Sequence, residues 1–472
     1  MECEIKAVLL PVRMTKLLRE TVTLPEEFKS YTSQLFGEEN FQRFMQGMEE
    51  EPPVSIRLNQ FKYDATTMPL PAKEKAVVEW CPEGRYLETR PLFTFDPLLH
   101  AGVYYVQEAA SMYVTDVMRR YAPADRPLMV LDLCAAPGGK STALRSVLPE
   151  GSLLMTNEPM RQRANILMEN VQKFGHPDVI VTNNYAIDYQ RSGMNFDVIL
   201  ADVPCSGEGM FRKDEGAINE WSVANVRKCA DLQRSIVDDI LPCLTDGGLL
   251  IYSTCTFNAH EDEDNVQYIV DEYDMEKLCE RHFIPGITPT EGLYMSALRK
   301  PGEHNFVLSA EQQSNKREGH RRGKQSSAAA AMQGVKQLSG WLKQNDAFDF
   351  VMLGGRIVAV GKSWRDKYET AAKKLRVMHA GIEMGEQKGK DIIPSQSLAL
   401  STMLSPNAFP IVDVDLETAL QYLRREVVTV PVETPRGFVV VRYKGLPLGF
   451  VKNLGNRTNN LYPQEWKIKT KK

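Results

Sequence analysis

Two cysteines sit in settings that suit them for chemistry. Cys205 lies in ADVPCSGEGMFRKD (201–214), after an apolar run that ends at Asp202 and directly behind Pro204. Cys255 lies in YSTCTFNAHEDEDN (252–265), just past a second apolar run and flanked by Thr254 and Thr256. A thiol between two threonines at the end of a strand is poorly placed for a core. It is well placed for the carboxyl edge of an open α/β sheet, where ligands bind. Thiolates are strong nucleophiles and let one difficult step be split into two easier ones through a covalent intermediate. A free thiol with a pKa near ~8.5 is only a few per cent ionised at pH 7, so such a site must favour the thiolate or activate its target. For Cys205 the competing reading is a buried, inert thiol, a common fate of free cysteine.

A third segment, LDLCAAPGGKS (131–141), reads as a strand, a Gly-rich turn and a helix start. Such a turn lets a ligand approach the backbone, with the helix N–H groups pointing at it. The segment also approaches the phosphate-binding pattern G-x-x-x-x-G-K-[ST]: Gly139-Lys140-Ser141 fits, but Cys134 replaces the first glycine. From this segment alone a nucleotide hydrolase stays open. Glu158, ending the next strand in TNEP, is placed to accept hydrogen bonds from ribose hydroxyls.

These motifs need strand ends to present them. MVLDL, GSLLMTN, DVIVTN, FDVILAD and DGGLLIYST alternate with helical runs such as RQRANILMENVQKFG, which predicts a parallel sheet covered on both faces with right-handed crossovers. Before it, LPEEFKSYTSQLFG places Phe28, Tyr31 and Leu35 at helical spacing and stops at Gly37, and SIRLNQFK alternates like a strand. After it, 300–336 is polar and basic, with seven Lys or Arg against three Glu between Arg299 and Lys324; it reads as a linker or as a contact for RNA phosphates. Beyond about 340, short strands punctuated by Gly and Pro predict a small β-rich unit. The resulting division is a flexible 1–20, an α+β unit at 21–95, the α/β domain at 96–300, a basic linker at 301–338 and a β-rich domain at 339–472.

The 472 residues leave room for several domains, and a net charge of -4 restricts any RNA site to local basic patches. Eight cysteines in this length are too few for a disulfide scaffold and fit a reducing cytoplasm. The N-terminal run is short, carries Pro11 and has acids in front, so it makes a poor signal peptide. No apolar stretch reaches the ~18 residues of a membrane span.

A thiol at a sheet edge suits one class of methyl transfer. C5 of cytosine is not nucleophilic, but a thiolate added to C6 makes C5 enamine-like and able to take a methyl group; loss of the C5 proton then expels the thiol. The Asn/Asp-Pro-Pro-aromatic pattern of amine methylation is absent, since 202–205 reads Asp-Val-Pro-Cys.

LCAAPGGK, ADVPCSGEG and YSTCT, in this order, resemble the NOL1/NOP2/Sun family of RNA 5-methylcytosine methyltransferases. SIRLNQFK, WCPEGRYL, HAGVYYVQEAASM and GLPLGFVKNLGNRTNNLYPQEW are similar to its bacterial branch that modifies small-subunit ribosomal RNA. The resemblance implies a Rossmann-like class I methyltransferase sheet, an N-terminal α+β RNA-binding extension and a C-terminal PUA-like domain. It implies S-adenosylmethionine contacts at Cys134, Ala135, Ala136, Pro137, Gly138, Gly139 and Lys140, and at Glu158, Asn184 and Asp202. Cys255 matches the nucleophile and Cys205 the cysteine that assists release of the methylated RNA, while Lys140 and Asp202 would polarise the ring or position the cofactor. Two departures stand out. The family's adenine-side Asp falls at TNNYAID, where Asn183 or Asn184 takes its place, and Glu261-Asp262-Glu263-Asp264 replaces Glu-Glu-Asn-Glu.

The expected partner is RNA, 16S rRNA or the small ribosomal subunit, with tRNA or a nucleotide-binding RNA factor as alternatives. Neither a metal nor a membrane is expected, and the chain is expected to act as a monomer. Arg57, Lys62, Arg212, Lys213, Lys444, Lys452 and Arg457 are candidates for RNA backbone contacts. Tyr104, Tyr105, Phe211 and Tyr462 are candidates for base stacking, although residues of this type more often belong to the core.

Overall fold

A computed structural model describes residues 23–303, 338–389 and 391–470. The expected flexible start and residues 304–324 of the basic stretch lie outside the described residues. At the near end of that stretch, Arg299 and Lys300 bond to backbone carbonyls of Gly247, Tyr121 and Leu244.

The chain opens with helix Glu26–Glu49, broken at Gly37, whose φ of 74° and ψ of 160° are not helical. Strands β1 (Val54–Leu58), β2 (Glu74–Val78), β3 (Cys81–Leu87) and β4 (Tyr104–Val106) form a sheet in the order β2-β3-β1-β4. This sheet takes its last strand from beyond residue 95.

Next come β5 (Met129–Asp132), β6 (Leu153–Asn157), β7 (Val179–Thr182), β8 (Phe196–Asp202), β9 (Leu244–Thr254), β10 (Glu276–Phe283) and β11 (Leu293–Arg299). The C-terminal segment supplies β12 (Phe348–Leu353), β13 (Arg356–Gly361), β14 (Val377–Ala380), β15 (Ile382–Lys388), β16 (Asp391–Pro394), β17 (Ile411–Asp413), β18 (Gly437–Tyr443), β19 (Leu446–Asn453) and β20 (Thr458–Asn460).

The large sheet runs β10-β11-β9-β8-β5-β6-β7-β14, with β5 to β9 parallel and β11 and β14 antiparallel to their neighbours. Every residue of β5, β6 and β7 is buried, as an unbroken apolar run requires when both faces are covered. Successive residues enter opposite cores: Leu131, Met155 and Ile199 pack on one face, Val130, Leu154 and Val198 on the other. Each such side chain contributes about 1.5–3 kcal/mol when fully buried. Strand order reverses at β5, so the carboxyl ends of β5, β6, β8 and β9 open onto one cleft.

Two smaller sheets, β12-β13-β15-β16 and β17-β18-β19-β20, complete the C-terminal segment. Its strand β14 leaves them to extend the large sheet beside β7. A core containing Ile56, Leu58, Tyr104, Tyr422, Val439 and Tyr462 joins the N-terminal sheet to the last one. No helix among the described residues is long and apolar enough to cross a membrane.

Candidate active site

The turn after β5 is set by backbone. The Ala136–Pro137 bond is cis, and Gly138, at φ 114°, caps helix Gly139–Val147; a side chain at that φ would be strained. Ala135 N–H donates to the Asn157 carbonyl at 2.8 Å, tying the turn to the end of β6. From the first turn of the helix, Lys140 Nζ reaches across to Asp202 Oδ2 at 2.9 Å, at the end of β8. Burial works against the Lys140 charge, but Asp202 more than offsets it, and the pKa is raised overall; the charge of Cys255 acts in the same sense. Below them Asp132 accepts a 2.7 Å hydrogen bond from Ser141 and is pushed up to about 7 by burial.

Glu158 is buried at the end of β6. Its Oε1 accepts from Met160 N at 3.0 Å, while Oε2 has no hydrogen-bond partner. Burial raises its pKa, opposed by Arg163 and by N–H groups of Met160 and Ala136. A buried carboxylate oxygen left open at a strand end suits the ribose hydroxyls of a nucleoside cofactor. Asn183 donates to the carbonyls of Glu158 and Pro159, both at 2.8 Å, and accepts from Arg376, the residue just before β14, at 3.2 Å. Asn184 Oδ1 accepts from Arg376 N at 2.9 Å and its Nδ2 donates to Asp188 at 3.3 Å. Both asparagines are therefore engaged in joining β7 to the C-terminal segment.

The thiols meet across neighbouring strands. Cys205 Sγ lies 2.9 Å from Cys255 Sγ and accepts the Cys255 N–H at 3.3 Å; both residues are half-buried and neither forms a disulfide. The Cys205 thiol is pushed well up, first by its hydrogen bond to Cys255 and then by burial, so it holds its proton. Two buried carboxylates frame the pair. Glu208 accepts from Trp221 Nε1 at 2.9 Å, Thr256 Oγ1 at 2.5 Å and Phe257 N at 2.8 Å. Glu261 accepts from Ser206 N at 2.9 Å, Gln233 at 2.7 Å and Asn258 at 2.8 Å. Gly209 N–H donates to the Cys255 carbonyl at 2.9 Å, and a Cβ on Gly209 would come within 2.6 Å of the Gly292 carbonyl, so only glycine lets these loops close. The first helix braces the whole: Phe28 and Phe44 pack with Phe211, Trp221 and Phe257, and Tyr31 accepts the Ala259 N–H at 2.9 Å.

Cys205, Cys255, Lys140 and Asp202 thus converge on one stretch of the cleft, with 134–140 and Glu158 beside them. Several expected RNA contacts are internal instead. Arg57 is buried, bonding to Gln107 at 2.8 Å and Thr142 at 2.6 Å, and Lys62 Nζ donates to the carbonyls of Ala101 and Lys173. Arg212 binds Glu291 at 2.8 Å and the Gly47 carbonyl at 2.7 Å. Tyr104, Phe211 and Tyr462 are core residues, the commoner fate of such aromatics, rather than stacking platforms; Tyr105 is half-buried. Lys213 pairs with Glu291 at 3.2 Å and Lys452 with Asp391 at 3.5 Å, while Lys444 and Arg457 are exposed. Sequence reasoning missed Glu208, Gln233 and Arg163. Glu208 lies inside the 201–214 motif, but its partners come from other elements, so no local spacing announces it.

Three family descriptions match in order along the chain: the N-terminal domain of 16S rRNA methyltransferase RsmF at 24–109, 16S rRNA methyltransferase RsmB/F at 120–305 and the methyltransferase RsmF PUA domain at 409–468. The chain belongs to the 16S rRNA methyltransferase RsmB/F family. Among its relatives, the ribosomal RNA small subunit methyltransferase F of Enterobacter sp. (strain 638) is 27% identical, covering 95% of this chain and 97% of its own. That of Aeromonas hydrophila is 29% identical over 87% and 90%. A methyltransferase homolog from Pyrococcus horikoshii matches in structure with a TM-score of 0.52 and 25% identity, over 59% of this chain and 96% of its own. NSun6 from the same organism, solved with SFG, has a TM-score of 0.50 and 20% identity over 59% and 99%, which supports the fold. This RsmB/F member is an S-adenosylmethionine-dependent methyltransferase, with a PUA domain at its C-terminus.

Proposed function

We propose that the enzyme methylates C5 of cytosine in 16S rRNA, in the cytoplasm, with Cys255 as nucleophile. The observation that carries this reading is the 2.9 Å approach of the two thiols beside the Lys140–Asp202 pair. In it, 134–140 with Glu158 and Asp202 hold S-adenosylmethionine, and Asn184 stiffens the adenine side through Arg376. When bound, the cofactor would supply an electrophilic methyl group, the sulfur–methyl bond breaking with its electron pair left on a neutral thioether.

Cys255 acts as its thiolate, the nucleophilic form of cysteine, beside the Lys140–Asp202 pair. Its sulfur bonds to C6, and the C5–C6 electron pair moves to C5, which then forms the new carbon–carbon bond. Loss of the C5 proton to a base returns an electron pair to the ring, re-forms the double bond and breaks the S–C6 bond. Cys205, in contact with the same sulfur, serves that elimination. The target base must leave its stack to reach the cleft, at a cost of a few kcal/mol when paired.

The test is trapping. Incubated with S-adenosylmethionine and unmodified 30S subunits or their rRNA, Cys205→Ala should accumulate a protein–RNA adduct that survives denaturing electrophoresis, and Cys205→Ala/Cys255→Ala should form none. If Cys205→Ser abolishes transfer while Cys255→Ser is benign, the roles are reversed. Transfer to tRNA but not to 30S rRNA would replace the substrate while leaving the chemistry.

A further inference from the structure

Arg163, in the helix Arg161–Phe174 that follows β6, is assigned no part in the reading above. It spans the two loops that flank the cofactor side of the cleft. Its Nη2 donates to the Ala136 carbonyl at 3.0 Å, in the turn after β5, and its Nη1 lies 3.5 Å from Glu158 Oε2, the buried oxygen without a hydrogen bond. The guanidinium is half exposed, at 53%, while the Glu158 side chain is 1% exposed.

We propose that Arg163 is a positioning residue for cofactor binding: it keeps Glu158 ionised, so that the carboxylate presents two acceptors to the ribose hydroxyls at neutral pH. The inference rests on the assignment of Glu158 to the ribose. A protonated Glu158 would spend one oxygen as a donor and lose an acceptor. Burial drives Glu158 in that direction, and Arg163 is the cation that opposes it. Other titratable groups face it too. Asp132 and Cys134, from β5 and the turn after it, are the acidic neighbours, and Arg376 approaches from the C-terminal segment through Asn183. None of them replaces Arg163, because Asp132 has the wrong sign, Cys134 is a buried thiol pushed well up that keeps its proton, and Arg376 acts across an intervening side chain.

The sign follows. Glu158 must be deprotonated to accept two hydrogen bonds, so affinity falls as pH drops through its pKa. Removing Arg163 moves that fall to higher pH. Calorimetric titration of the full chain with S-adenosylmethionine between pH 6 and 9 reads this without any turnover. Arg163→Ala should weaken binding about 10-fold at pH 6.5, the equivalent of one pKa unit, and by less than about 2-fold at pH 9. Arg163→Gln keeps an N–H for Ala136 but no charge, and should follow Ala. Arg163→Lys should recover most of the affinity at low pH. At saturating cofactor, kcat of Arg163→Ala should stay within about 2-fold of the parent, with the loss confined to KM.

Asp132, pushed up to about 7, titrates within the pH range of this experiment, so the decisive background is Glu158→Gln, in which the pH-dependence added by Arg163→Ala must vanish. A loss equal at all pH values, or rescue by Gln as well as Lys, would overturn the proposal and leave Arg163 as a structural tie. If Glu158→Ala itself leaves cofactor binding intact, the ribose assignment fails first, and that result is distinct from a flat Arg163 profile.

Discussion

The two halves of the cleft are built on different principles. On the thiol side, after β8 and β9, the two carboxylates that frame the thiols are well supplied with partners: Glu208 accepts three hydrogen bonds and Glu261 accepts three, drawn from loops and the helix Val223–Ile240. On the cofactor side, after β5 and β6, shape comes from backbone, namely a cis bond and a left-handed glycine, and the key carboxylate keeps one oxygen without a hydrogen bond, faced only by Arg163 at 3.5 Å. A reacting atom must be held in one place, so its support is closed. A ligand that enters and leaves each cycle needs acceptors free before it arrives, so its support is left incomplete.

That contrast can be broken. The largest expected effect is on the thiol side alone. Cys255→Ala should lower methyl transfer by at least ~10³-fold, as loss of a covalent nucleophile does, with cofactor affinity within about 2-fold by calorimetry. If cofactor binding is lost too, the halves are not separable. Next is Glu208→Ala, which leaves the indole of Trp221, the Thr256 hydroxyl and the Phe257 N–H without an acceptor. Each orphaned group costs ~1–3 kcal/mol, so the melting temperature should drop by several degrees and transfer should fall with it. An unchanged melting curve would show that water replaces the carboxylate and that the support is not closed.

The smallest effect tests the other half. Asn183→Ala removes two donors to the loop carrying Glu158 and the acceptor for Arg376. At about 1 kcal/mol net for such bonds, cofactor affinity should weaken about 3- to 10-fold, with kcat at saturation nearly unchanged. Equal losses in kcat would mean that this wall also positions the thiols.

Some of these relations were legible in the residue order. The unbroken apolar runs of β5 to β8 define buried parallel strands, because no other element hides them on both faces. Gly138, Cys205 and Cys255 come within six residues of the ends of β5, β8 and β9, so their place at the carboxyl edge follows from local order. The spacing of Phe28, Tyr31 and Gly37 likewise announces a helix and its interruption. Residue type misled where a long side chain had a choice of partner. Arg57, Lys62 and Arg212 read as cations for phosphate, yet a hydroxyl, carbonyls and a glutamate inside the protein take them.

What the sequence alone determined is the inventory at each strand end: two thiols, a lysine, an aspartate, a glutamate and a turn that requires glycine. What only the tertiary structure decided is which of these touch. Strand order brings β8 beside β9 and β5 beside β8, so Cys205 meets Cys255, 50 residues away, and Lys140 meets Asp202, 62 residues away. It also sends β14, almost 200 residues downstream of β7 in the chain, to the edge of the same sheet, where Asn183 and Asn184 are occupied by Arg376. Hydrogen bonds and ion pairs act over a few ångströms through space, and no local pattern records which distant segment will arrive within that range.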